Sequence, residues 1–123
     1  MVSLPHEDVS EALLEHFVVG RVKGAIVGCV GLECYQHVGL LRSLAVAQTH
    51  AGLGFGKQLV AAAEELASDH KLQSVYLLTT TADRFFEGLG FRRLERGSAP
   101  SEIKNSYQFA SLCPASAVLM VKP

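Results

Sequence analysis

Residues 46–59 read Val46-Ala47-Gln48-Thr49-His50-Ala51-Gly52-Leu53-Gly54-Phe55-Gly56-Lys57-Gln58-Leu59, and the three alternate glycines decide how they fold. Before them runs an apolar segment, Gln36 to Val46, of strand character. After them Leu59, Ala62, Ala63 and Leu66 recur at helical spacing, which predicts an amphipathic helix from about Gly56 to His70. Glycine adopts positive φ without penalty and lets a ligand approach the backbone. The first amides of a helix have no internal acceptor. A strand, a glycine-rich turn and a helix in that order therefore form a cradle for phosphate oxygens. The charge pattern agrees, because a helix start favours Asp or Glu and here the early charge is Lys57. The competing reading is a tight turn whose glycines serve only the turning. Gly-Lys-Ser/Thr is missing, which excludes a Walker P-loop, and the third glycine comes too early for the dinucleotide fingerprint.

Working outward, the N-terminal side predicts a short helix over Asp8–Glu15 with Val9, Ala12 and Leu13 inward. A strand follows at Phe17-Val18-Val19, then a turn at Gly20–Gly24 and a longer strand at Ala25–Cys34. In the Gln36–Val46 strand the even positions are Val38, Leu40, Arg42, Leu44 and Val46, an apolar face interrupted by one arginine. On the C-terminal side, Ser74–Thr80 reads as a strand, and Thr81 caps a helix over Ala82–Gly88 that Gly90 stops. A strand at Phe91–Glu95, a weak helix at Ser101–Tyr107 and a strand at Ser116–Val121 complete the pattern. A strand meander followed by strand–helix–strand–helix–strand predicts an α/β (α+β) fold. Its sheet is mixed, mainly antiparallel and twisted, with flanking helices and one parallel crossover. The length of 123 residues predicts one domain, 1–123.

Composition narrows the function classes. Hydrophobic residues make up 49% of the chain, enough for a packed core, and the net charge of −1 has no basic block to meet nucleic acid. No apolar run has membrane-spanning length, and residues 1–8 lack the basic-then-apolar pattern of a secretory signal. Cys29, Cys34 and Cys113 are odd in number and not spaced as a metal pair, and His6, His16, His37, His50 and His70 are scattered. The expectation is a cytoplasmic protein without metal.

The glycine turn and its flanks resemble the acetyl-CoA signature of the GNAT N-acetyltransferase superfamily. Ala82-Asp83-Arg84-Phe85-Phe86-Glu87-Gly88-Leu89-Gly90-Phe91 looks like that family's second signature. A narrower likeness, from about Phe17 to the end, is to the arsenic-resistance branch. It is carried by Gly31-Leu32-Glu33, Leu41-Arg42-Ser43-Leu44-Ala45-Val46, Tyr76–Ala82 and Gln108–Ala117. Against the family pattern, Ala51 stands where an arginine or glutamine is common, and Phe86 stands where many members carry a tyrosine general acid. The usual first strand and helix have no counterpart before Leu4. An exposed strand edge, covered by the N-terminal segment or by a second copy in a homodimer, is the corresponding expectation.

The resemblance implies an acetyl-CoA-dependent N-acetyltransferase working by direct attack of an amine on the thioester. Its acceptor would be a small acidic amino acid of the arsinothricin or phosphinothricin type. The alternative is a CoA-binding module without turnover, a sensor. It implies that the backbone of Leu44, Ala45 and Val46 pairs with the pantetheine arm, with a backbone N–H near Val46 polarising the thioester oxygen. Ala51, Gly52, Leu53, Gly54, Phe55, Gly56 and Lys57 hold the pyrophosphate, and Phe85 packs in the core or against the cofactor. Glu33 is the candidate proton acceptor, or else a strand-end glutamate paired with an arginine. Arg42 suits a carboxylate, phosphinate or arsinate, or else forms an ion pair with Glu33. Ser43, Thr79 and Thr80 are further acceptor-binding candidates, while Ser111, Ser116 and a packing Cys113 are held more loosely. Arg84 and Arg92 are read as CoA-phosphate contacts or solvated side chains.

Overall fold

The structure, a computed structural model, describes residues 14–106 and 117–123. Six strands form one sheet in the order β1-β2-β3-β4-β6-β5. Strands β1 (Leu14–Val22), β2 (Ala25–Tyr35) and β3 (Val38–Val46) make an antiparallel meander. Its first turn is two residues, Lys23 and Gly24, both at positive φ, the geometry that matches the twist of a hairpin. Helix α1 (Phe55–Asp69) crosses from β3 to β4 (Ser74–Thr79), and those two strands are parallel. Helix α2 (Asp83–Gly88), β5 (Arg92–Leu94), helix α3 (Ser101–Lys104) and β6 (Val118–Lys122) follow, with β6 antiparallel to both β4 and β5. The expected mixed, mainly antiparallel sheet with flanking helices is the observed one.

The two faces of the sheet carry separate cores. On one, α1 sets Leu59, Val60, Ala63 and Ala67 against Val30, Leu32, Leu41, Leu77 and Met120, with Phe86 and Phe91 closing the end. The buried stripe of α1 is turned slightly from the predicted one: Val60 and Ala67 go in, and Ala62 stays at the border. On the other face Leu40 and Leu119 meet Ala99 and Ile103 beside α3.

Several boundaries differ from the sequence reading. Strand character begins at Leu14, so the predicted helix cannot extend to Glu15; its remainder, residues 8–13, lies outside the described residues, as do Tyr107, Ser111, Cys113 and Ser116. The β2–β3 turn takes Gln36 out of the third strand. Thr81 does not cap α2: no side chain caps that helix, and the nearby hydroxyl bond is made by Thr79.

The largest departure is in β3. Its five even positions do not share a face, because Ser43 sits at φ 57 and the pairing with β2 slips between Gly31↔Arg42 and Cys29↔Ala45. Two residues, Ser43 and Leu44, thus oppose Val30, which is a β-bulge, and a bulge resets side-chain alternation. Val38 and Leu40 pack on the α3 side, whereas Leu41, Leu44 and Val46 pack on the α1 side.

Candidate active site

The central gap in the sheet follows from pairing. Strand β3 pairs with β4 only over Val38–Leu40 and Ser74–Tyr76. Beyond that, β4 stays with β6 as far as Thr79↔Val118, while β3 stays with β2 up to Val46. The two strands therefore part, leaving a cavity of about 270 Å³. Leu41, Arg42, Ser43 and Leu44 form one wall, and Leu77, Leu78, Thr79, Thr81 and Ala82 the other. Phe86, only 5% exposed, also borders it.

Backbone direction on the β3 wall follows from the ladder. The Ala47 amide donates to the Val27 carbonyl at 2.6 Å. Gly28↔Val46 is the next pair, and alternation turns the Val46 amide away from β2 toward the gap. The same alternation turns Ala45 to β2 and Leu44 toward the gap, one step deeper. No β4 backbone pairs with β3 at this level.

Just past Val46 comes a 3-10 turn, Gln48–His50, and then the glycines. Gly52 and Gly54 have φ 79 and 85, and a side chain at either would meet nothing within 4 Å. Both glycines are thus required by backbone conformation rather than by crowding. Gly54 is the N-cap of α1, which begins at Phe55 rather than Gly56 and has neither a side-chain cap nor an acidic residue in its first turn. Its leading amides are presented to an anion, and the exposed Lys57 adds charge beside them. Gly56 differs. A side chain there would sit at van der Waals distance from Phe85 Cζ (3.4 Å) and Val46 Cγ2 (3.9 Å), which places the Phe85 ring over the start of α1 beside the end of β3. Phe85 is 39% exposed and Leu53 is 63% exposed, both unusual for large apolar side chains. These residues fit a long, mixed ligand: anionic where the helix begins, and narrow and apolar with backbone donors where the strands part.

The charged side chains of the site form one buried cluster. Glu33, 1% exposed, receives the Tyr35 hydroxyl on Oε1 and Arg42 Nη1 on Oε2, each at 2.5 Å. Arg42 is 9% exposed, and its Nε also reaches Ser43 Oγ at 3.4 Å. Gly31, which pairs with Arg42, makes room for the arginine stem: an added side chain would touch Phe17 Cε1 at 2.9 Å and Arg42 Cγ at 3.2 Å. The structure thus brings Glu33, Arg42 and Ser43 to one end of the gap and Thr79 to the facing wall, while Thr80 is exposed at its rim. Sequence reasoning missed Tyr35, although a tyrosine two residues from a strand glutamate shares its face. Arg84 and Arg92 are exposed, and Arg93 is held on the surface by Asp83 and Glu87. Burial raises the thiol pKa of Cys29 and Cys34 above the usual cysteine range. Among the described residues no helix is long and apolar enough to cross a membrane.

Known proteins resemble this chain in sequence and fold. A family model described as acetyltransferase (GNAT) domain matches residues 14–93. An uncharacterised N-acetyltransferase, CT2212 of Chlorobaculum tepidum, is 32% identical over 97 residues, 76% of this chain; the chain spans 62% of that relative's length. Among solved structures, Rv2747 from Mycobacterium tuberculosis in complex with CoA superposes with a TM-score of 0.74 at 25% identity, covering 85% of this chain and 74% of that one. The N-acetylglutamate synthase of Neisseria gonorrhoeae, complexed with coenzyme A and N-acetyl-glutamate, gives 0.76 at 20% identity, over 86% of this chain and 25% of that one. At that identity the likeness is one of fold.

Proposed function

The chain belongs to the acetyltransferase (GNAT) family, and from that premise we propose that it is an acetyl-CoA-dependent N-acetyltransferase. Its acceptor is the amine of a small amino acid carrying an acidic group, of the arsinothricin or phosphinothricin type. The observation that carries the donor half is the succession of gap and glycine turn along one strand. Strand β3 walls the cavity where β4 leaves it and runs on into the turn that begins α1. The amides of Phe55, Gly56 and Lys57, with the open turn from Ala51 to Gly54, take the pyrophosphate. Ala51 offers no side chain to it, which leaves the task to backbone. The pantetheine arm lies along β3 past Ala45 as an added strand on the outward backbone of Val46 and Leu44. Phe85 covers it from the α2 side.

The amine attacks the thioester carbonyl directly, so placement and oriented donors carry the rate. Val46 was the amide expected to polarise the thioester oxygen. The bulge gives Leu44 the same direction one step deeper, so the two divide the work, Val46 on the arm and Leu44 on the carbonyl. Arg42, with Ser43 beside it and Thr80 at the end of the facing strand, binds the acceptor's acidic group; the resemblance to the arsenic-resistance branch supports that acceptor class. Glu33 fixes Arg42 through their 2.5 Å bond. Each of its oxygens accepts one hydrogen bond and keeps a second lone pair, through which it accepts the amine's proton directly or by way of water.

The test follows thiol release from acetyl-CoA over a panel containing phosphinothricin, methionine sulfoximine, glutamate and polyamines. Release with the acidic amino acids, abolished in Arg42→Ala through a raised acceptor KM, is the expected result. Tight CoA binding with no release across the panel would instead identify a sensor, the reading that Ala51 and the hydroxyl-free Phe86 favour. Release with polyamines alone would refute the acceptor assignment.

A further inference from the structure

Thr79 lines the gap with a hydroxyl whose oxygen is already engaged by the backbone. Its Oγ1 accepts the Ala82 amide at 2.9 Å. A hydroxyl carries one hydrogen and two lone pairs, so with the amide seated on the oxygen the hydrogen turns elsewhere. Among the described residues no acceptor for it is present. Thr79 lines the gap and is half-buried. The hydroxyl is therefore a donor held in place by the backbone at one side and open to the cavity at the other.

Its depth along the gap can be read from the register. Leu40 pairs with Tyr76 in the last parallel rung. Three residues further on each strand stand Ser43 and Thr79, so Thr79 faces the bulge across the parted strands. An arm entering from the glycine turn meets Val46 first and ends nearest the closed rung, beside Ser43 and Thr79. The end of that arm is the sulfur and its acyl group.

We propose that Thr79 donates the hydrogen bond that receives charge on the donor's sulfur as the thioester is cleaved. The inference rests on the reading of the gap as an acetyl-CoA site. In the step, the amine nitrogen forms the C–N bond at the carbonyl carbon. The C–S bond breaks with its electron pair remaining on sulfur, and the amine's surplus proton passes to Glu33, directly or through water. Threonine is too weak an acid to surrender its proton. It stabilises the thiolate by hydrogen bonding, and solvent protonates the thiolate afterwards. Arg42 is bonded to Glu33, the Ser43 hydroxyl accepts from Arg42 Nε, Thr81 lies exposed on the far wall and Phe86 carries no polar atom, so the hydroxyl fixed on the Ala82 amide, Thr79, is the one set toward the sulfur. A donor aimed at developing charge contributes about 10- to 100-fold in rate.

Calorimetric binding of CoA and of desulfo-CoA, in which hydrogen replaces the thiol, isolates the contact from turnover. Wild type and Thr79→Ser are expected to prefer CoA, and the preference should grow from pH 7 to pH 9.5 as the bound thiol ionises. Thr79→Val, confirmed folded by circular dichroism, should show a preference that is small and flat with pH, and a lower kcat with little change in the acetyl-CoA KM. An equal, equally pH-dependent preference in Thr79→Val and wild type overturns the inference while leaving the acetyltransferase reading intact. If the valine variant does not fold, the wild type still decides, because a preference that fails to rise with pH overturns it as well. Absence of CoA binding by the wild type overturns both readings.

Discussion

Replacing Arg42 by methionine keeps an apolar stem in place of the arginine's and removes its charged guanidinium. Glu33 would then retain one donor, Tyr35, for a carboxylate that is 1% exposed. Breaking a buried ion pair from one side costs about 3–5 kcal/mol, because the remaining charge is left without compensation. A domain of this size is stable by roughly 5–15 kcal/mol, so the variant should lose a large fraction of its stability while remaining folded in the cold. The double replacement Arg42→Met/Glu33→Leu removes both charges and both desolvation penalties. It should recover most of the loss, to within about 1–2 kcal/mol of wild type, with Tyr35 half-buried and able to turn toward water. The four proteins form a cycle whose coupling exceeds about 2 kcal/mol. Urea denaturation followed by far-ultraviolet circular dichroism is the suitable assay, since the chain has no tryptophan. Additive single losses of under about 1 kcal/mol each, with no recovery in the double variant, would show the pair to be solvent-screened. The argument that Arg42 is a buried, partnered cation would then fail. The same double variant should be stable yet unable to select acidic acceptors, which separates stability from recognition.

Gly54→Val forces a β-branched residue into φ 85 and should cost about 1–2 kcal/mol and abolish CoA binding measured by calorimetry; retained micromolar binding would remove the turn from the site. Leu77→Ala, in the core beside the gap, should lose about 2–5 kcal/mol in urea; a loss below about 1 kcal/mol would mean the core collapses around it. Cys29 and Cys34, with thiol pKa values raised by burial, carry less thiolate near neutrality than an ordinary cysteine. Their alkylation by iodoacetamide, read by peptide mass spectrometry, should be slow at pH 7.5, accelerate only at distinctly alkaline pH, and lag behind that in urea. Lys122→Met breaks contacts to Glu64 and the Leu89 carbonyl at about 3 Å. With both side chains about a third exposed, the cost should be at most about 1 kcal/mol, and a larger one would point to Leu89 and α2 depending on it.

The order of elements was legible because hydrophobic period and glycine punctuation agree along most of the chain. Leu59, Ala63 and Leu66 announce α1, and Lys23-Gly24 announces a hairpin. The glycine turn was legible for the same reason, since its signal is local. What failed to show was the bulge at Ser43. Nothing in Leu41-Arg42-Ser43-Leu44 distinguishes a regular strand from one with an extra residue, because the slip is imposed by pairing with β2. The assignment of Leu40 and Leu44 to one face failed with it. Thr81 reads as a cap because it sits next to the helix, whereas the hydroxyl that bonds Ala82 comes from the end of β4 three residues earlier. The partnership of Glu33 with Arg42 was visible only as one of two alternatives, since sequence carries no distance between strands.

The extra residue in β3 makes strand length an independent variable of the site. Without Ser43, Leu44 would oppose Val30 directly, and the pairs on either side, Gly31↔Arg42 and Cys29↔Ala45, would be joined without a slip. Leu41, Leu44 and Val46 would still share the α1 face. The hydrophobic code is therefore indifferent to the residue, and a deletion there is a silent edit to folding. It is not silent for the opening: a regular β3 can zip further along β4 and close the cleft. Deletion of Ser43 is therefore expected to leave the core packed while changing the width of the opening between β3 and β4.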